Sequence, residues 1–306
     1  MKRRHSSLDS VKKEITTKRL KLSNKKILFK ACEKGDLDKV KELVENGTSV
    51  NAINYDGKTL IYLASEEGHL DIVKFLLEKN AGVDMGYEDW TGLHVGSFNN
   101  RLDIVKFLLE KNAGVDVTDD DGNTALHLAL GKGYFEVVKS LIERGANVNL
   151  ENSDGMTPIH IAIENKNFET TKFLIENGVS VNTKDNDDQT ILSFAVINGC
   201  RDIVKFLLDQ NADVNIRDNR GCLPFEFALK NNQFGLLELL LEKGTKHSLI
   251  NKQYNEIYIF KFVLKTIEKK KSFKNNLSPE FKDIEIYRFM KREYDQKLLD
   301  LKGIPE

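Results

Sequence analysis

The chain has 306 residues, 40% apolar and 30% charged, with 46 basic side chains against 47 acidic ones. Such a balance implies no polyanionic partner, so nucleic acid and an anionic membrane surface are not expected, and no apolar run approaches the roughly 20 residues of a membrane span. Three widely spaced cysteines, Cys32, Cys200 and Cys222, form neither a disulfide framework nor a zinc pattern and read as reduced thiols in an intracellular protein.

The first 23 residues, MKRRHSSLDSVKKEITTKRLKLS, contain Lys2, Arg3, Arg4, Lys12, Lys13, Lys18, Arg19 and Lys21. Few large apolar residues accompany them, so residues 1–23 cannot bury a core and read as a disordered basic tail. Charge without an apolar h-region argues against a Sec-type signal peptide. Lys18-Arg19-Leu20-Lys21 resembles a short nuclear-import signal; the competing reading is a solvated basic tail.

From Asn24 the chain repeats itself. Fifteen residues, LDIVKFLLEKNAGVD, stand at Leu70 to Asp84 and return unchanged at Leu102 to Asp116. The hexamer inside them recurs as KVKELV from Lys39, VVKSLI from Val137, TTKFLI from Thr170, IVKFLL from Ile203 and LLELLL from Leu236, at steps of 33 residues or once 32. Periods of this size mark stacked repeat architectures. Each hexamer spaces its apolar residues for one helical face. Upstream, a second short apolar segment carries a small residue at Ala31, Ala64, Gly96, Ala129, Ala162, Ala195 and Ala228, as close helix packing requires.

The breaks keep the same step. After the first segment come Gly35, Gly68, Asn100, Gly133, Lys166, Gly199 and Asn232; after the second come Gly47, Asn80, Asn112, Gly145, Gly178, Asn211 and Gly244. Gly and Asn tolerate the left-handed conformation that ends a helix. Lys166 departs, and Asn167 beside it is the expected substitute. Each unit is thus a helix, a tight turn, a helix and a polar loop.

This unit resembles the ankyrin repeat, whose signature stands nearly complete at Thr157-Pro158-Ile159-His160 and partially at Thr124-Ala125-Leu126-His127 and Thr91-Gly92-Leu93-His94. The family's tail is at Gly145-Ala146-Asn147-Val148-Asn149, and the Asp-Gly of its finger loop is at Asp56-Gly57, Asp121-Gly122 and Asp154-Gly155. The resemblance implies an all-α solenoid of seven stacked helix-turn-helix units with finger loops, at 24–56, 57–88, 89–121, 122–154, 155–187, 188–220 and 221–246. It also implies that His94, His127 and His160 are buried and bond backbone between units.

Unit three departs from the pattern. Its finger, Asp84-Met85-Gly86-Tyr87-Glu88-Asp89-Trp90, is one residue short, and Gly92 and Gly96 lie in its first helix. Two such glycines cost roughly 1 kcal/mol each relative to Ala, so this unit is expected to be the least stable internal one, with a displaced finger. Lys25, Lys26, Lys30, Glu33 and Lys34 give unit one a charged outer surface suited to a cap. Residues 247–306 lose the period and read as a helical extension, with a helix start at Ser278-Pro279-Glu280. Leu277-Ser278-Pro279-Glu280-Phe281 resembles the F-box-like end of some viral and bacterial ankyrin proteins that recruit ubiquitin ligases, but Pro279 is one place late and Glu285 replaces an apolar residue.

No phosphate-binding loop, dinucleotide fingerprint or nucleophile elbow is present, and the run Asp119-Asp120-Asp121 lacks the ligand spacing of a calcium loop. Catalytic residues, cofactors and metal ligands are therefore not expected. Carried over by register, the resemblance places partner contacts on fingers and first helices: Tyr55, Asp56, Glu66, Glu67, Tyr87, Glu88, Trp90, Phe98, Asp120 and Asp121. Aromatics crowd units two and three, Trp90 being the only tryptophan, and acidic residues ring them. This pattern predicts a monomeric intracellular scaffold, cytoplasmic or nuclear, for a protein bearing an apolar knob with a basic rim. For Trp90 the alternative is a side chain folded back into the gap left by the short loop. A second functional reading is an adaptor that recruits an enzyme through residues 247–306. Abundant Lys, Asn and Ile would suit a host-directed protein of an intracellular bacterium or DNA virus.

Overall fold

The computed structural model describes residues 22–87 and 89–244. The described residues form two compact bodies that divide between Ala162 and Ile163. The described residues hold fourteen helices and, in place of strands, isolated β-bridges. In the first body these are α1 (22–33), α2 (Leu37–Glu45), α3 (Leu60–Glu67), α4 (Leu70–Glu78), α5 (Gly92–Phe98), α6 (Leu102–Glu110), α7 (Ala125–Lys132) and α8 (Phe135–Glu143), with α9 (Pro158–Glu164) at its end. The second body continues with α10 (Phe168–Glu176), α11 (Ile191–Ile197), α12 (Arg201–Asp209), α13 (Pro224–Lys230) and α14 (Phe234–Glu242).

Helices pair and then stack. In the first body α3 packs on α4, α5 on α6 and α7 on α8; the first helices α3, α5 and α7 form one layer, and the second helices α2, α4, α6 and α8 form another. The second body repeats this with α11 on α12, α13 on α14, α11 on α13, and α12 against both α10 and α14. The two copies of the fifteen-residue stretch bury the same stripe, Ile72, Val73 and Leu76 in α4 and Ile104, Val105 and Leu108 in α6. Neither pair could bury that stripe alone, so stability is shared between neighbours.

The signature threonines start the first helices. The Thr59 hydroxyl accepts from Tyr62 N at 3.1 Å, and Thr91 and Thr124 form capping boxes with His94 and His127. All fourteen predicted break positions have positive φ. Lys166 itself takes the left-handed conformation (φ 54), while Asn167, the expected substitute, caps α10 by accepting from Thr170 N at 3.1 Å. The pattern therefore imposes the turn on whatever residue occupies the position, at a cost in backbone strain for Lys.

Loop residues that close four of the repeats staple each to the next. Asn51 Oδ1 accepts from Gly82 N, Asp84 Oδ1 from Gly114 N and Asp116 Oδ1 from Asn147 N, at 2.9–3.0 Å. In the second body Asn182 Oδ1 accepts from Asp213 N at 2.9 Å. The acceptor must be Asn or Asp, but the donor is a backbone N–H. That is why the altered tails with Gly82 and Gly114 still fit.

Candidate functional site

Five fingers share one construction. Asn54, Asp119, Asn152, Asp185 and Asp218 each bond their own backbone N–H to the carbonyl four residues on, at 2.9–3.1 Å. Each also uses its side-chain Oδ1 to accept from the N–H groups two and four residues on. A short polar side chain at the base thus fixes the whole loop.

The unit-three finger lacks that anchor. Tyr87 and Trp90 exchange both backbone hydrogen bonds, Tyr87 N to Trp90 O at 2.9 Å and Trp90 N to Tyr87 O at 2.8 Å, which makes a two-residue hairpin. The missing residue is what tightens the turn. Asp89 takes φ 57 at its corner, and a Cβ on Gly86 would sit 2.0 Å from Trp90 O, so only Gly fits there. Displacement of this finger was expected; the finding is a change of turn type. Register over the loop assigns Tyr87 to the tip position of Tyr55. The hydrogen bonds instead assign it to the anchor position of Asn54, so Tyr87 is half-buried at the base, edge-on to Tyr62 with centroids 5.9 Å apart.

Trp90 is likewise half-buried. Its Nε1 donates to Asp119 Oδ2 at 3.0 Å, and its ring meets Phe98 edge-on at 5.2 Å. Lys132 Nζ caps the far side of this pair, 4.1 Å from the Phe98 centroid. Trp90 therefore ties its finger to the next, as Asn123 Oδ1 does one repeat later by accepting from Asn152 Nδ2 at 2.9 Å. Ser153 N adds a bond to Asp121 O at 2.8 Å. Sequence reasoning missed this finger-to-finger ladder. The signal was the recurrence of Asn or Asp at the finger base.

Tyr55 differs from the other aromatics. It stands at the tip of its finger, 84% exposed. The other exposed large apolar side chains among the described residues are Leu22, Ile27, Ile53 and Met85, so all five fall within residues 22–85. Asp56, Glu67, Asp89, Asp120 and Asp121 are also exposed, whereas Glu66 is half-buried and paired with Lys58 at 2.9 Å. A side-chain hydrogen bond that protonated Asp120 donates to Asp89, and then the repulsion of that neighbouring carboxylate, raise the pKa of Asp120 above the ordinary aspartate value. Two adjacent fingers thus hold like charges close together. Glu88, Lys18, Arg19, Lys21 and the segment 247–306 lie outside the described residues.

The signature histidines are buried, as expected. The Thr91 and Thr124 N–H groups donate to Nδ1 of His94 and His127, so each ring carries its proton on Nε2. That proton goes to Val117 O from His94 (3.0 Å), and to Leu150 O and Met156 O from His127 (3.1 and 3.2 Å). These bonds lock the loops leading into the next fingers. Among the described residues no group of three or more His, Cys, Asp or Glu is placed to hold a metal ion, and no helix is long and apolar enough to cross a membrane.

A family model described as ankyrin repeats (3 copies) matches residues 6–89, 28–119 and 93–185, and one described as ankyrin repeats (many copies) matches residues 174–228. Among curated proteins none matches the chain.

Proposed function

The chain belongs to the ankyrin repeat family, and on that premise we propose that it is a monomeric, intracellular, non-catalytic scaffold that binds a partner protein on its second to fourth units. Ankyrin repeats generally mediate protein–protein interaction and are typically non-catalytic. One observation supports the location: the exposed large apolar side chains among the described residues all fall within residues 22–85, and the fingers of units two to four carry exposed carboxylates. A soluble protein spreads such residues singly unless a surface recognises something. Tyr55 offers a large side chain of low entropy cost, as interface anchors do. In the next finger Tyr87 is braced by Tyr62, and Trp90 by Phe98 and Asp119. The carboxylates of Asp56, Glu67, Asp89, Asp120 and Asp121 fit a partner with an apolar projection ringed by Lys or Arg.

Affinity capture with the wild type and with Tyr55→Ala, Tyr87→Ala and Trp90→Ala tests this. Tyr55→Ala should weaken binding by about 2 kcal/mol, near thirtyfold, with the melting temperature unchanged. Full capture by all three variants, with their helical content intact, would overturn the reading.

A further inference from the structure

We infer that residues 1–21 of this chain bind its own finger face, as an intramolecular competitor of the partner. The inference rests on the partner reading, because it supplies that face with a resident ligand of the same chemistry. Three observations support it.

The first is where the described chain begins. Among the described residues α1 is helical from residue 22, four residues ahead of Lys26, which holds the register position of the capping Thr59. Cys32 Sγ bonds to Leu60 O at 3.3 Å, which sets the end of α1 against the start of α3. Stacked repeats are near-translational copies, so α1 and α3 run parallel. Leu22 then lies about 15 Å further along the axis, beyond the start of α3 and alongside the finger of Ile53 to Lys58. Residue 21 is therefore joined to α1 at this face.

The second is charge. Residues 1–21 hold eight basic and two acidic side chains, whereas residues 22–244 hold 24 basic and 36 acidic. The third is apolar spacing. Leu8, Val11 and Ile15 recur at the three- and four-residue steps of one helical face, with Lys12, Lys13, Lys18 and Arg19 around them. As a helix this segment would present a small apolar ridge with a basic border, complementary to the exposed Leu22, Ile53, Tyr55 and Met85 and to the exposed carboxylates of the fingers.

Reach is sufficient. With repeats about 10 Å apart, Asp120 is about 30 Å from Leu22. Twenty-one residues span about 30 Å as helix and about 70 Å extended. A segment tethered this closely experiences an effective concentration near millimolar, so even weak affinity suffices to occupy the face.

Zero-length carbodiimide cross-linking of the full chain, read by mass spectrometry, tests the inference without any partner. Lys39 and Glu42, 2.7 Å apart, give a link in every sample and show that the reaction has run. The expected links join Lys12, Lys13, Lys18 or Lys21 to Asp56, Glu67, Asp89, Asp120 or Asp121. They should fall about tenfold at about 1 M salt, where the Debye length is about 3 Å, and should fall likewise in the full chain carrying Tyr55→Ala. Tail links spread equally onto Glu78, Glu110 and Glu143 of the second helices would overturn the inference, as would the absence of tail links beside a strong control link. Links between isotope-labelled and unlabelled chains would overturn it in favour of a second copy, and finger links from lysines of residues 245–306 in favour of the opposite end. Partner capture is a separate readout, so loss of one reading is visible without the other.

Discussion

At the residue scale, the two glycines of α5 behave oppositely. A Cβ on Gly92 would meet Ile61 Cγ2 at 2.7 Å and Ser65 Oγ at 3.1 Å, so this glycine lets α5 approach α3. A Cβ on Gly96 would rest 3.5 Å from Val105 Cγ2, an ordinary contact, in a position that is Ala in the other repeats. Thermal unfolding should therefore show Gly96→Ala stabilised by about 1 kcal/mol and Gly92→Ala destabilised. From sequence both glycines look like the same propensity cost; only the distance to the neighbouring helix separates them.

The buried histidines set a pH dependence. Desolvation by burial lowers the pKa of His94 and of His127, although their backbone hydrogen bonds oppose it. Protonation would also put a proton on Nδ1, where the Thr91 and Thr124 N–H groups already donate. A depressed histidine pKa contributes stability that is present above the unfolded value of 6.5 and lost as pH falls through the lower folded value. Denaturant midpoints should therefore drop as pH falls below about 6.5. A His94→Gln/His127→Gln variant, less stable at pH 7, should show a shallower drop. Equal slopes would show that other groups cause the loss.

At the element scale, the fingers show what was legible in the sequence. The 33-residue step, the left-handed breaks and the capping threonines could be read from residue types, because each needs one kind of side chain or none. The unit-three finger could not. Deleting one residue moved Tyr87 from tip to base, since hydrogen-bond closure decides register there and the letter count does not. Trp90 serves packing and the Asp119 bond, leaving Tyr55 as the exposed aromatic among the described residues. Trp90→Phe keeps an aromatic edge for Phe98 but removes the Nε1 donor. It should cost about 1 kcal/mol of stability while leaving partner capture within about twofold, whereas Tyr55→Ala should do the reverse.

The facing tips of fingers three and four carry a second element-scale consequence. A raised Asp120 pKa means that the folded state disfavours its ionised form; the benefit of folding with it protonated is fully present below the unfolded value of 3.8 and lost as pH rises through the folded value. Asp89→Asn should thus raise the melting temperature at neutral pH, with the gain vanishing at about pH 3. The side chain is fully exposed, so the gain should be small and should shrink with salt. An unchanged melting temperature at low ionic strength would show that the two carboxylates do not interact in solution.

At the scale of the whole molecule, a net charge near zero conceals a separation. Residues 22–244 carry 24 basic and 36 acidic side chains, and the flanking 1–21 and 245–306 carry eight against two and fourteen against nine. An acidic array steers a basic partner by its long-range field, while contact at Tyr55 acts only after docking. The two contributions therefore belong to different rate constants. Asp120→Asn/Asp121→Asn should slow association at low salt by up to about tenfold, an effect that disappears near 0.5 M salt, with dissociation little changed. Tyr55→Ala should leave association nearly intact and speed dissociation. Stopped-flow binding to a captured partner separates them. Association rates independent of salt would mean that the partner's contact surface is not basic, and that the carboxylates on the fingers serve the loops rather than recognition.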